Sequence, residues 1–228
     1  MLYVLSGFIF GSLIPYMARR FAKFMPATMA NALYQLIVFP KTVSKAKKNQ
    51  NVKYKKLRKK YLLHSFVWGI ITSLLTVAAH FCLPSCYFIA LIWILLLLYE
   101  IDERMLLLPD ILTIPLLIIG FVHASVLPAQ DYIYCSPSFN AALGAAIGYI
   151  LPVIASLMMV KKHPDAFGGG DIKLLSATGA WLGFQNVPIL LLLSSFVFGI
   201  YCLIKRKRAG AFGPAIVIAT ILLAFFVI

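Results

Sequence analysis

The chain has 228 residues, 62% of them hydrophobic and 12% charged, with a mean hydropathy of +0.92. Soluble domains run near half apolar and about a quarter charged, so this composition excludes an ordinary soluble domain and excludes disorder. The charge is one-sided, with 21 Lys and Arg against 7 Asp and Glu and a net of +14. A basic protein invites a nucleic-acid reading, but a chain this apolar reads instead as a membrane protein whose cations lie on one side.

Apolar runs without Lys or Arg fall at about 1–18, 62–81, 87–101, 111–128, 140–160, 172–185, 188–204 and 212–228. A helix needs roughly 20 apolar residues to cross the bilayer core. The runs predict an all-α polytopic membrane protein of about eight transmembrane helices. The first run starts at Met1 but has no charged segment before it and no small-residue cleavage site after it, so it reads as a retained anchor. Pro15, Pro115 and Pro152 fall inside runs, where neighbouring helices can satisfy the freed carbonyls. The organisation expected is a first helix over 1–18, a basic loop over 19–61 and a seven-helix membrane core over 62–228.

Thirteen of the cations lie between the first two runs. Arg104 follows the third run, Lys161, Lys162 and Lys173 surround the junction of the fifth and sixth, and Lys205, Arg206, Lys207 and Arg208 separate the last two. The intervening connections have none. Alternate loops therefore hold every cation, which makes them cytoplasmic and places both termini outside. The Lys-rich run in 19–61 reads first as a topology signal that also attracts anionic lipid headgroups, and second as a docking surface for an acidic partner.

The acids are fewer and more informative. Asp131 lies on the outer side, Glu100, Asp102, Glu103 and Asp110 cluster where the third run meets the fourth, and Asp165 and Asp171 lie at the mouth of the sixth. Ionisable groups at membrane depth are costly and point to function. Asp102 ends a very apolar run, and Asp171 stands directly behind Gly168-Gly169-Gly170. Two carboxyls brought together share a proton, and such a pair can act as base toward water and as acid toward a carbonyl. A helix cap, a flexible turn or a proton relay would use the same residue types. Composition and spacing alone leave an aspartyl enzyme beside a transporter.

The surrounding residues carry a family resemblance. Ile101-Asp102-Glu103-Arg104-Met105-Leu106-Leu107-Leu108-Pro109-Asp110, with Leu112-Thr113-Ile114-Pro115 following, resembles the first active-site motif of the prepilin peptidases. Gly168-Gly169-Gly170-Asp171-Ile172-Lys173-Leu174-Leu175, running on to Gly179-Ala180-Trp181-Leu182-Gly183, resembles the second, the Gly-x-Gly-Asp signature of intramembrane aspartyl proteases. Gly7-Phe8-Ile9-Phe10-Gly11-Ser12 and Phe212-Gly213-Pro214-Ala215 are similar to the opening and closing segments of the family. The resemblance implies Asp102 and Asp171 as catalytic residues, Gly168 and Gly170 as signature glycines, and Lys173, Pro109 and Asp110 in supporting positions. It implies cleavage of the basic leader of type IV prepilins or pseudopilins, at the cytoplasmic side of a bacterial inner membrane. Proteolysis would need no cofactor or metal. N-methylation of the new terminus, which many members perform, would use S-adenosylmethionine. The partners implied are those substrates and membrane lipids, without nucleic acid. Glu100, Glu103, Asp110 and Asp165 would form an acidic cluster attractive to the basic leader.

The chain departs from the pattern in one respect. Many members carry a four-cysteine zinc site in the first cytoplasmic loop, whereas 19–61 has no cysteine. Cys82, Cys86 and Cys135 map near the outer face and Cys202 near an inner end. They are expected as unpaired buried thiols, with one disulfide among the first three as the alternative. His64, His80, His123 and His163 show no metal spacing, and Trp68, Trp93 and Trp181 read as packing or interface anchors. A non-enzymatic membrane component, either an ion-coupled transporter or an assembly-platform subunit, stands as the competing reading.

Overall fold

The computed structural model describes residues 1–24, 52–83, 85–127, 136–159, 168–206 and 210–227. Asp131, Cys135, Lys161, Lys162, His163, Asp165, Lys207, Arg208 and most of the basic loop lie outside them. Eight helices occupy the described residues: α1 (Leu2–Phe24), α2 (Val52–Cys82), α3 (Tyr87–Met105), α4 (Asp110–Val126), α5 (Pro137–Met159), α6 (Gly169–Leu182), α7 (Val187–Lys205) and α8 (Gly213–Val227). Each falls on one of the eight apolar runs. No strand is present among the described residues. Leu2–Ala22, Lys59–Cys82, Pro137–Met158 and Val187–Lys205 are long and apolar enough to cross a membrane by length and composition. The other four fall short of that test for plain reasons. Helix α3 carries Glu100, Asp102, Glu103 and Arg104 near its end, and α4, α6 and α8 are shorter, at 17, 14 and 15 residues.

The chain divides into two compact units, Met1–Ala78 and Ala79–Ile228. In the first, α1 meets α2 along a seam of small residues. A Cβ on Gly7 would stand 2.8 Å from the Ser73 Cα, and one on Gly11 would stand 2.6 Å from the Trp68 carbonyl oxygen. The Gly-x3-Gly spacing puts both glycines on one face, so the backbones touch. The Ser73 hydroxyl donates to the Val4 carbonyl at 3.0 Å. That is the physical use of the glycines in the opening segment.

The second unit positions the site. Burial inside a bilayer brings little hydrophobic gain, so its helices are held by close packing and hydrogen bonds. Helix α5 presents Gly144 and Gly148 to α6. A Cβ on Gly144 would collide with the Gly179 carbonyl oxygen, and one on Gly148 would stand 2.5 Å from the Leu175 oxygen. The Ser176 hydroxyl donates to the Ala145 carbonyl at 2.9 Å across the same seam. Helix α6 ends at Gly183, whose φ of 77° suits glycine, and its N–H donates to the Gly179 carbonyl. The Asn140 Oδ1 then accepts from the Phe184 N–H at 3.0 Å.

Away from the acids, Phe88, His123 and Trp181 form a buried cluster joining α3, α4 and α6. Ring centroids stand 4.9 Å apart for Phe88–His123, 5.2 Å for His123–Trp181 and 5.5 Å for Phe88–Trp181. The Trp181 indole donates to the Leu116 carbonyl at 2.9 Å. His123 and Trp181 thus serve packing, as expected. Cys82 and Cys86 are unpaired, as expected, but exposed rather than buried: Cys82 is the last residue of α2 and Cys86 the cap of α3.

Candidate active site

Helical periodicity itself delivers the first aspartate to the interior. The buried residues of α3 include Phe88, Leu91, Ile92, Leu95 and Leu98, at the three- and four-residue steps of one face. Asp102 is the next step, and only 4% of its surface is exposed. Helix α3 stops one turn later. Leu106 takes the left-handed conformation at φ 54°, and its N–H donates to the Asp102 carbonyl oxygen at 2.9 Å.

The same rule applies to α6, where Leu174, Leu175 and Thr178 are buried and Asp171 precedes them by three, four and seven residues. Asp171 is half-buried in the first turn. Its N–H donates to the Gly168 carbonyl at 3.0 Å, and the Gly168 backbone lies against its carboxyl. The glycine triplet now has a steric meaning. A Cβ on Gly168 would stand 3.0 Å from the Asp171 Oδ2, and one on Gly170 would stand 2.9 Å from the Leu108 Cβ. A Cβ on Gly169 would meet nothing within 4 Å. A side chain at 170 would press on Leu108 and one at 168 would push the Asp171 carboxyl, whereas position 169 is open, which matches the Gly-x-Gly pattern.

The charge of Asp102 bears on Asp171. Three helices begin beside them, with Asp110 opening α4, Gly169 opening α6 and Gly213 opening α8. Helix starts carry unsatisfied N–H groups and partial positive charge, which favours carboxylates there. The Gly213 N–H donates to the Asp102 Oδ2 at 3.0 Å. The Lys173 ammonium binds both oxygens of Asp110, at 2.7 and 2.8 Å, and so ties the start of α6 to the start of α4. Pro109 is buried at the α4 cap, where its carbonyl accepts from the Leu112 and Thr113 N–H groups.

The neighbouring acids have other employment. Glu100 is buried and ion-paired with Arg104, one turn on. Glu103 accepts from the Tyr201 hydroxyl at 2.8 Å and pairs with Lys205. Asp110 holds Lys173. The expected acidic cluster is therefore largely neutralised from within, and Asp165 lies outside the described residues. Among the described residues no group of three or more His, Cys, Asp or Glu is placed to hold a metal ion. Sequence reasoning missed Gly213 and Tyr201 as neighbours of these acids. The Gly213-Pro214 dipeptide was the available signal, since it marks a helix start with one backbone donor removed.

Chemically, two carboxyls close enough to feel each other's charge can share a proton between them. One can take a proton from water while the other donates to a carbonyl oxygen. An all-helical, multi-pass membrane protein with a carboxyl pair where its helices meet is the class that fold and site define. The chain belongs to the type IV leader peptidase family, whose model matches residues 89–203 and so includes both aspartates. Proteins named prepilin leader peptidase/N-methyltransferase are similar to it. The one from Aeromonas salmonicida is 41% identical over 139 residues, covering 57% of this chain and 45% of that protein. The one from Vibrio cholerae is 30% identical over 147 residues, covering 62% and 56%, and the one from Escherichia coli K12 is 36% identical over 126 residues, covering 52% and 53%. The chain spans about half the length of these curated relatives. No solved structure matches it.

Proposed function

We propose that the protein is an aspartyl endopeptidase that removes the basic leader of type IV prepilins or pseudopilins, with Asp102 and Asp171 as its catalytic pair. One observation carries the reading. What supports it is that the two aspartates of the family-like motifs, 69 residues apart in sequence, lie near enough for the charge of Asp102 to bear on Asp171.

In the reaction one carboxylate removes a proton from water, and the resulting hydroxide adds to the scissile carbonyl carbon. The other carboxyl, protonated, donates to the carbonyl oxygen. As the tetrahedral intermediate collapses, the C–N bond breaks and the amine leaves with a proton from the pair. Gly168 leaves room for the Asp171 carboxyl, Gly170 leaves room for Leu108, and Pro109, Asp110 and Lys173 fix the loop and helix starts on either side. The segregation of cations supports placing this site at the cytoplasmic side of a bacterial inner membrane.

N-methylation of the new terminus appears in the relatives' names. A cavity of about 390 Å³ in the first unit is walled by Val4, Phe8, Ile70, Leu74 and Val77, with Ser73 alone polar. That lining, with one hydroxyl, does not fit the charged ends of S-adenosylmethionine.

The test is co-expression with a prepilin, followed by mass measurement of the processed N-terminus. Asp102→Asn and Asp171→Asn should each lower cleavage by about 10²–10⁴-fold or more while leaving the folded protein in the membrane. Full cleavage by either variant refutes the assignment. The same mass reports whether a methyl group has been added.

A further inference from the structure

The start of α8 can be accounted for donor by donor. A helix leaves its first N–H groups without intrahelical partners. Here the Ala215 and Ile216 N–H groups turn back to the Phe212 carbonyl, at 3.0 and 3.2 Å. Pro214 has no N–H at all. That leaves Gly213, and its N–H donates to the Asp102 Oδ2 at 3.0 Å in a buried setting. The side-chain requirement is equally tight. A Cβ at position 213 would stand 2.5 Å from that same oxygen and 3.0 Å from the Asp102 Cγ. Glycine is needed for the approach, and proline next to it removes the competing donor.

This contact crosses 111 residues of sequence, and Gly213 lies beyond the matched stretch 89–203. The backbone of Asp102 is held as well, since its carbonyl caps α3 through the Leu106 N–H. Both the carboxyl and the backbone carbonyl of Asp102 are therefore held by backbone N–H groups.

We infer that Gly213 is a positioning residue for proteolysis: its backbone N–H locks the Asp102 carboxyl by Oδ2 and so presents Oδ1 to the attacking water. The inference rests on the leader-peptidase reading. A carboxyl free to rotate would spend part of its time with neither oxygen aligned, and misalignment slows a step that depends on geometry. A donor on Oδ2 also stabilises the ionised form of Asp102, whichever role in the pair that carboxyl takes.

The experiment uses the full chain in detergent with a purified prepilin as substrate. Two variants are compared with the wild type and with Asp102→Asn. Gly213→Ala adds the methyl group that meets the carboxyl. A backbone ester at 213, made by incorporating glycolic acid in place of the glycine, removes the N–H and adds no atoms. The ester variant should melt with the wild type, lower kcat about tenfold or more, and leave KM within about twofold. Loss of the donor should also move the limb of the pH–rate profile that reports Asp102 to higher pH. A structural role alone would reduce the amount of active enzyme without moving that profile. An ester variant with wild-type kcat and an unmoved profile overturns the inference, even if Gly213→Ala fails to fold. If the wild type itself leaves the prepilin uncut, the reading and the inference fall together. If the wild type cuts, Asp102→Asn does not and the ester variant behaves as wild type, the inference alone falls.

Discussion

Replacing Gly144 with alanine drives a methyl group into the backbone of α6. The added carbon would stand 2.9 Å from the Gly179 carbonyl carbon and 3.0 Å from that of Gly183, with the Gly179 oxygen nearer still. Carbon–carbon contacts settle near 3.5–4.0 Å, so the two helices must part by about 0.5–1 Å. A gap of that size forfeits about a quarter to a half of the dispersion attraction at each contact along the seam. It also stretches the Ser176–Ala145 hydrogen bond, now 2.9 Å long and worth about 1 kcal/mol. Overpacking against a rigid backbone costs about 1–3 kcal/mol, which with the bond makes a loss of about 2–4 kcal/mol. Unfolding in mixed micelles, titrated with SDS and followed by circular dichroism, measures it. Gly199→Ala in α7 is the control, because a Cβ there meets nothing within 4 Å. Alanine is the better helix former by about 0.5–1 kcal/mol, so that variant should hold or gain stability. Equal midpoints for the two variants would refute the claim that the α5–α6 seam depends on backbone contact.

Leu106→Gly relieves a left-handed residue at φ 54° whose side chain is 69% exposed. It should raise stability by about 1 kcal/mol in the same titration, and a loss would show that the leucine side chain is held by packing. Lys173→Gln breaks a pair whose side chains are 48% and 42% exposed. Its stability cost should stay below about 1 kcal/mol and shrink further in high salt. A cleavage assay on this variant separates a brace between α4 and α6, with a modest fall in kcat, from a group essential to the chemistry.

Much of the fold was legible because membrane helices announce themselves locally. An apolar run needs no knowledge of its neighbours, and all eight runs carry helices. The stripe along α3 could equally be read outward from Phe88 through Leu95 to Asp102. What remained hidden were the contacts between distant segments. Nothing local says that Lys173 reaches Asp110, that Tyr201 and Lys205 satisfy Glu103, or that Gly213 reaches Asp102. The acids looked like an open cluster because their cations arrive from other helices or from one turn further on. The exposure of Cys82 and Cys86, expected to be buried, was hidden for a related reason, since only the helix ends show that both lie where α2 stops and α3 starts.

Two of the helices that begin beside these aspartates share one more property, their shortness. At about 1.5 Å per residue, the 14 residues of α6 and 17 of α4 reach about 21 and 26 Å. The hydrocarbon layer is about 30 Å thick. Where such helices face lipid, a bilayer of that thickness would thin or leave a water-filled dent, at a cost of a fraction of a kcal/mol per Å. Hydrolysis consumes a water molecule for every bond cut, and a dent opening onto the helix starts would let solvent reach Asp102 and Asp171 without a channel. A lipid mixture with thicker acyl chains would then slow the enzyme by starving it of solvent, with every side chain still in place.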